Sequence, residues 1–362
     1  MDLQDYGLSS HVREEAARWP GLFPARVCGQ HRDVYRLVCE GGELAGEVSG
    51  KLSYNAESGA AFPAVGDWVM IDRTDDRSGS AVIHQVLPRT SVFSRQAAGS
   101  AGGPQIIAAN IDLLFICTSL NADFNLRRIE RYVTAAWESM AVPVILLTKA
   151  DLCDDVRGKR DEIAAVAPGV DTVVSSVEHS GEHSGGLDEI RGYIRPGKTI
   201  AFIGSSGVGK STLINRLAGR ELLATGKIRE DDDRGRHTTT RRELILLPGG
   251  GLVIDTPGMR ELQIYTGDLS KTFEDIEDLA AECKFGNCSH GAEPGCAVRE
   301  AIEKGTLPAK RFESYQKLKR EMSYEGLNSR QLENEKINRM FGSKSGMKQM
   351  FKVLKEKRKR ER

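Results

Sequence analysis

Residues 199–212, TIAFIGSSGVGKST, decide the fold of this chain. The first five residues are mostly β-branched, aromatic or aliphatic and predict a buried strand, and STLINRLAG from Ser211 onward predicts a helix. Between them, residues 204–211 fit the pattern G-x-x-x-x-G-K-[ST], whose glycines let backbone N–H groups turn inward onto phosphate oxygens. Because a strand precedes the loop and a helix follows it, a chance glycine-rich turn is the weaker alternative.

Each residue of this loop is a candidate contact to a bound phosphate. The N-terminal end of the following helix favours the same anion, Lys210 would reach the β- and γ-phosphates, and the Ser211 hydroxyl would bind Mg²⁺. The predicted nucleotide contacts of the loop are Gly204, Ser205, Ser206, Gly207, Val208, Gly209, Lys210, Ser211 and Thr212.

Length and composition predict a multidomain globular protein. The 362 residues suffice for two or three domains, and 51 basic residues balance 51 acidic ones. No apolar run approaches the length of a membrane span, and the N-terminus lacks a secretory signal pattern. Seven cysteines, three of them clustered with a histidine, are typical of a reducing compartment, so we expect a cytoplasmic protein without contact to membranes.

Changes of pattern along the chain divide it into five predicted regions. Five short β-rich runs separated by Gly, Asp and Ser predict an OB-like barrel, and strands alternating with helices predict an α/β domain with a parallel sheet. A Gly-, Ala- and Ser-rich stretch at 96–105 is a predicted linker. The regions are an N-terminal extension (1–21) with a short helix ending at Pro20, the barrel (22–95), the α/β domain (105–275), a cysteine-containing domain (276–325) and a basic, partly disordered tail (326–362).

Basic residues are spread over the predicted barrel, and such barrels often bind nucleic acid. For each residue, an ordinary solvated charge is the slightly favoured alternative. The candidates for a basic face are Arg26, Arg32, Arg36, Lys51, Arg73 and Arg77. In the α/β domain, residues at helical spacing predict the core side of a helix over 126–140: Leu126, Ile129, Val133, Trp137 and Met140.

Two polar stretches follow predicted strands of the α/β domain and point to a guanine base. A carboxylate such as Asp151, in the run Thr148-Lys149-Ala150-Asp151, can accept both N–H groups of the guanine N1/N2 edge, whereas adenine has no N1 proton. The Lys149 stem can lie over the base, and Ser175 and Ser176 would contact the guanine oxygen. A plain strand-to-helix turn with an N-cap aspartate is the weaker alternative.

A further motif, Asp255-Thr256-Pro257-Gly258, directly follows the predicted strand at 251–254. An aspartate at a strand end can hold the water shell of Mg²⁺, and a flexible glycine can donate its N–H to the γ-phosphate. One strand after a phosphate loop, this D-x-x-G pattern is a strong signal. Asp255 is therefore a predicted Mg²⁺ and nucleotide contact, and Gly258 a predicted nucleotide contact.

A cysteine cluster follows the α/β domain, with the spacing Cys283-x4-Cys288-x-His290-x5-Cys296. Three thiolates and one imidazole suit a tetrahedral structural Zn²⁺. Free cysteines in a loop are the weaker alternative, because this region holds few large apolar residues and needs a metal to fold. The sequence therefore predicts a helical, zinc-binding C-terminal domain.

The guanine-recognition motifs precede the phosphate loop, which is the order of a circularly permuted GTPase. A barrel, a permuted GTPase domain and a Cys/His cluster together resemble the RsgA (YjeQ) family over about residues 22–325, most specifically in GSSGVGKS, GRHTTT (235–240), DTPG and the cysteines. The resemblance implies an OB fold and a monomer that hydrolyses GTP to GDP on binding the small ribosomal subunit and its rRNA, late in subunit maturation.

Two positions bear on catalysis within this resemblance. Thr148 replaces the usual Asn, whose amide braces the phosphate loop, so we expect weaker affinity for guanine. Met259, after DTPG, cannot orient water, and His237 in GRHTTT is the best replacement, which the resemblance also implies; a solvated loop histidine is the alternative. Either Thr239 or Thr240 would close on Mg²⁺.

Three function classes remain open at this point. The favoured one is Mg²⁺-dependent hydrolysis of GTP coupled to ribosome binding. A binding module in which GTP only switches affinity for a partner is the second, since Met259 leaves the usual water-orienting position without a polar group. An ATP-dependent kinase is disfavoured by the Thr148–Asp151 and DTPG motifs.

Overall fold

The computed structural model describes residues 1–56, 58–75, 77, 79–96, 104–121, 123–176, 186–223, 242–255, 269–322 and 349. The strands in these residues are β1 (Phe23–His31), β2 (Val34–Cys39), β3 (Gly42–Val48), β4 (Trp68–Ile71), β5 (Ala81–Val86), β6 (Val92–Gln96), β7 (Pro104–Ala109), β8 (Leu113–Ser119), β9 (Val142–Thr148), β10 (Asp171–Val174), β11 (Thr199–Ile203), β12 (Leu244–Leu246) and β13 (Leu252–Asp255). The helices are α1 (Ser10–Ala17), α2 (Gly50–Asn55), α3 (Leu126–Glu138), α4 (Val156–Val166), α5 (Gly186–Tyr193), α6 (Lys210–Ala218), α7 (Glu274–Ala281), α8 (Ala297–Glu303) and α9 (Ala309–Met322).

The first five strands form a closed barrel in the order β1-β2-β3-β5-β4. Strand β1 pairs with β4 to close it, and β3 pairs with β5 in parallel, while the other pairs are antiparallel. The barrel has its own core of alternating inward side chains, among them Val27, Leu37, Val69 and Ile83. The predicted five-stranded, OB-like barrel is confirmed.

Arg26 in β1 does not belong to the proposed basic face of the barrel, because its side chain is buried. Its Nη1 donates to the carbonyl of Tyr6 at 3.0 Å, and its Nη2 donates to Thr199 Oγ1 at 3.1 Å. Burial lowers the pKa of Arg26 to about 10, and the guanidinium lies 5.2 Å from the Trp68 ring. This arginine therefore joins the barrel to the N-terminal segment and to the first residue of β11.

The N-terminal extension packs on the rest of the chain. Helix α1 starts after Ser9, whose side chain accepts a hydrogen bond from the Val12 N–H, and it ends at Ala17, short of the predicted stop at Pro20. Leu3, Tyr6 and Val12 are buried in the main core. The extension is thus part of the folded structure.

The central sheet has the order β10-β9-β8-β11-β13-β12. Five strands run parallel, as predicted, and their apolar side chains are buried by helices on both faces. Strand β12 was not predicted and lies antiparallel to β13, because its three residues are too few to give a periodic signal. Glu243, the residue just before β12, forms an isolated β-bridge with Gly29 in β1 of the barrel.

The structure corrects two local predictions in this part of the chain, one at its ends and one outright. The two ends of the predicted linker are strand residues, because Gln96 pairs with Pro104 at the end of the β6–β7 sheet, while 97–103 lie outside the described residues. Met140 is exposed rather than in the core, because α3 ends at Glu138 and the backbone at Met140 is left-handed.

Helices α7, α8 and α9 follow the sheet, which agrees with the prediction of a helical C-terminal domain. Arg311 of α9 is buried and donates to Glu130 of α3 at 2.9 Å and to Asp275 of α7 at 2.7 Å. Glu130 also accepts from Ser314 Oγ at 2.7 Å. No helix among the described residues has both the length and the apolar character to cross a membrane.

Candidate functional site

The phosphate loop lies between β11 and α6, where the sequence predicted it. Gly204, Gly207 and Gly209 adopt φ angles of 145°, 78° and 103°, a region that side chains disfavour. A Cβ at Gly204 would lie only 2.3 Å from the carbonyl oxygen of Cys117, so this position also requires glycine for close packing on β8. The glycine pattern therefore has a direct structural reason.

Lys210 begins α6 and its side chain is buried inside the loop. Its Nζ donates to the carbonyl oxygens of Gly204 and Ser205, each at 2.7 Å. Burial lowers the pKa of Lys210, and the charge of Asp255 opposes that shift. Burial likewise raises the pKa of Asp255, and Lys210 counteracts it. The cation and the carboxylate thus stabilise each other's charges at the carboxyl ends of β11 and β13.

Thr148 connects the base-recognition motif to the phosphate loop. This buried hydroxyl donates to the carbonyl oxygen of Val208 at 2.6 Å and lies 3.3 Å from the carbonyl oxygen of Thr118. A buried carbonyl that lost this donor would cost about 1–3 kcal/mol. Threonine therefore makes a bracing contact to the loop with its hydroxyl.

Asp151 and Ser176 lie together at the same edge of the sheet. Ser176 Oγ donates to Asp151 Oδ1 at 2.6 Å, and both side chains are exposed enough to meet a ligand. Lys149 has a left-handed backbone with φ 56°, which turns the chain into the short helix containing Asp151. Buried Ser175 is held by its backbone N–H, which donates to Leu147 at 2.7 Å. The structure thus brings the predicted base contacts to the end of the sheet that carries the phosphate loop.

Two residues that touch the loop were missed in the sequence. Asp123 and Arg128 follow β8 and both contact Ser205. The rule that pointed to the strand ends at Thr148 and Ser175 applies equally to the polar segment after β8, so the signal was present. Ser211 and Thr212 occupy the first turn of α6, whereas His237, Thr239, Thr240 and Gly258 lie outside the described residues.

The second candidate site is the cluster of Cys283, Cys288, His290 and Cys296, whose ligand atoms all lie within 4.8 Å of one another. His290 Nδ1 is 3.6 Å from Cys283 Sγ and 3.5 Å from Cys296 Sγ, and the two sulfurs are 3.9 Å apart. A tetrahedral ion with ordinary Zn–S and Zn–N lengths would separate two sulfurs by about 3.8 Å and a sulfur from a nitrogen by about 3.6 Å. The cluster can therefore hold a metal ion, and its donors fit zinc.

Comparison with family models gives two matches. A model described as RsgA GTPase matches residues 86–265, and one described as ABC transporter matches residues 187–355. The second range includes the phosphate loop, which P-loop proteins of different classes share. Only the first model also covers residues 148–151, the predicted guanine-recognition motif.

Relatives and solved structures agree with the first model. The chain is 56% identical over 350 residues to the small ribosomal subunit biogenesis GTPase RsgA 2 of Lactiplantibacillus plantarum, covering 97% of each chain. It is similar to the crystal structure of YjeQ from Thermotoga maritima, with a TM-score of 0.61 and 26% identity over 85% of this chain and 100% of that one. It is also similar to YloQ, a circularly permuted GTPase, with a TM-score of 0.56 and 25% identity over 83% and 95% of the two chains. This chain belongs to the RsgA GTPase family.

Proposed function

We propose that this protein hydrolyses GTP to GDP and phosphate on binding the small ribosomal subunit, and that it acts late in the maturation of that subunit. The observation that most directly supports the binding of a guanine nucleotide is the hydrogen bond from Thr148 to Val208, which ties the predicted guanine-recognition strand end to the phosphate loop. Base and phosphates of one nucleotide can then be bound at the same edge of the sheet. The name of the relative from Lactiplantibacillus plantarum supports the ribosomal partner.

The roles of the side chains follow from their chemistry. Asp151 accepts the guanine N1 and N2 protons, Lys149 lies over the base, and Ser175 and Ser176 line the guanine oxygen. Backbone N–H groups of 204–212 and the Lys210 ammonium bind the phosphates, with the Gly258 N–H on the γ-phosphate.

Magnesium would neutralise the charge that builds up on the phosphates during transfer. Ser211, Asp255 and one of Thr239 and Thr240 would hold it. Among these residues, burial raises the pKa of Asp255 and the charge of Lys210 opposes that rise. His237 would orient the attacking water, since Met259 has no group that can do so.

The Cys/His cluster would hold one structural Zn²⁺. All four positions of a tetrahedral ion are filled by protein ligands, so no position remains for a catalytic water. The barrel, the cluster region and the basic tail at 326–362 would together face rRNA, and the protein would act as a cytoplasmic monomer.

A GTP-switched binding module with incidental hydrolysis is the second candidate. Met259 favours it, because slow turnover would follow if nothing oriented the attacking water. In that case the nucleotide would change the affinity for the ribosome, and the ribosome would not change the rate of hydrolysis.

Turnover of GTP and ATP, measured in parallel with and without purified small ribosomal subunits, separates these functions. We expect GTP to be preferred, slow hydrolysis by the protein alone and strong stimulation by small subunits, with Lys210→Ala as the inactive control. GTP binding without stimulation would leave only the switch, and equal turnover of ATP would contradict the assignment of Asp151.

A further inference from the structure

Asp123, Arg128 and Ser205 form a polar cluster between the phosphate loop and the segment that joins β8 to α3. Ser205 Oγ donates to Asp123 Oδ2 at 2.5 Å. Arg128 Nη1 donates to the same carboxylate oxygen at 2.7 Å and to Ser205 Oγ at 3.1 Å. Each member therefore contacts the other two, and charge-assisted hydrogen bonds hold the second residue of the loop.

Arg128 lies in the first turn of helix α3, where the backbone is held in place. Asn125 caps the helix by accepting hydrogen bonds from the backbone N–H groups of Arg127 and Arg128. The next residue, Ile129, is fully buried in the core. Arg128 thus starts from a fixed backbone position and needs little ordering to reach the loop.

The backbone of Ser205 extends the cluster to Lys210. The Ser205 carbonyl oxygen accepts a hydrogen bond from Lys210 Nζ at 2.7 Å, and the neighbouring Gly204 carbonyl accepts another at the same distance. Because Ser205 is held through its side chain, its carbonyl is held as well. The orientation of the lysine ammonium therefore depends on a contact made outside the phosphate-loop motif.

The charge of Asp123 suits this role. Partial burial alone would raise the pKa of Asp123, but hydrogen bonds from Arg128 and Ser205 hold it below its ordinary value. The carboxylate is thus ionised at neutral pH and accepts from both partners. The same pairing raises the pKa of Arg128.

We propose that Asp123 and Arg128 are positioning residues that hold Ser205, and through its carbonyl Lys210, in the geometry in which the loop binds the phosphates of a guanine nucleotide. The inference rests on the proposed function for the identity of the nucleotide. It assigns to the β8–α3 segment a part in phosphate binding that the motifs do not contain.

Binding of fluorescent GDP to the full-length protein tests the link. We expect Ser205→Ala and Asp123→Ala each to weaken affinity about tenfold, since each loses a hydrogen bond to a charged partner. The double variant should bind about as weakly as the single variants, because both changes break the same Ser205–Asp123 contact. Ser205→Thr keeps the hydroxyl and should stay within about threefold of the wild type.

Kinetics separate positioning from general damage. The cluster holds the loop equally in the bound substrate and in the transition state. Its loss should therefore raise KM for GTP about tenfold while kcat falls less than about threefold. Glu303→Ala in α8 is the matched control, because it removes an exposed glutamate–arginine pair, at 3.5 Å, on a helix that carries no predicted nucleotide contact. Should Asp123→Ala fail to fold, Asp123→Asn tests the same contact and should weaken GDP binding about threefold.

Three results would overturn the proposal: unchanged GDP affinity in the single alanine variants, additive losses in the double variant, or no recovery with Ser205→Thr. Lys210→Ala is measured alongside. If that variant is also normal, the proposed function itself fails. If it is inactive while Ser205→Ala is normal, only the positioning role is lost.

Discussion

Glu130→Ala tests whether the α/β domain and the C-terminal helices share one buried ionic network. Glu130 is fully buried and accepts from Arg311 at 2.9 Å, from Ser314 at 2.7 Å and from Arg127. The substitution removes the carboxylate and leaves the Arg311 guanidinium, itself 3% exposed, short of one counter-charge.

The size of the effect follows from these contacts. Removing one member of a buried ion pair costs about 3–5 kcal/mol. Arg311 keeps its paired hydrogen bonds to Asp275, at 2.7 Å each, so the lower end applies. We expect Glu130→Ala to lower the free energy of unfolding by about 3 kcal/mol, which is about a 150-fold change in the folding equilibrium.

Urea denaturation followed by circular dichroism measures this free energy, with metal supplied in excess. Glu300→Ala is the control, because the Glu300–Lys304 pair in α8 is 61% and 65% exposed and should contribute about 1 kcal/mol or less. A loss below about 1 kcal/mol in Glu130→Ala, or equal losses in the two variants, would refute the reasoning.

Four further predictions concern the candidate sites. Asp151→Asn should lose the preference for GTP over xanthosine triphosphate, because an amide presents a donor where guanine also has one; an unchanged preference in competition binding would contradict the base assignment. Lys210→Ala should abolish turnover, and phosphate release at the wild-type rate would remove the loop from the mechanism. One zinc ion per chain should be found by elemental analysis and lost in Cys288→Ser, with guanine-nucleotide binding retained; a native protein free of metal would argue against the site. His237→Ala should remove most of the subunit-stimulated rate but leave GTP binding intact, and full stimulation of this variant would exclude His237 as the catalytic group.

Much of the fold could be predicted because its signals are local. The phosphate loop, the barrel strands and the parallel strands each carry a pattern within a few residues, and the structure places those elements as expected. Strand β12 was missed because the three residues Leu244–Leu246 are too few to show a repeated alternation. Met140 was misplaced because periodicity does not show where a helix ends.

Contacts between distant parts of the chain are harder to predict. Arg26 looked like one of several solvated charges, yet it reaches Thr199, which lies 173 residues away in the sequence. Asp123 and Arg128 reach Ser205 across the fold in the same way. Such pairs of partners depend on how the elements pack. For Asp123 and Arg128 the sequence indicated only that the segment after β8 lies at the same edge of the sheet as the phosphate loop.

The bridge between Gly29 and Glu243 has a consequence for solubility. Strand β12 forms one edge of the six-stranded sheet, and the outer strand of an open sheet exposes N–H and C=O groups that can pair with another molecule. Here the barrel covers part of that edge, and Arg36 of β2 lies 3.8 Å from the Glu243 carboxylate. The N-terminal barrel thus covers part of the β12 edge of the central sheet, and a fragment without the barrel would expose that part to pairing with another molecule.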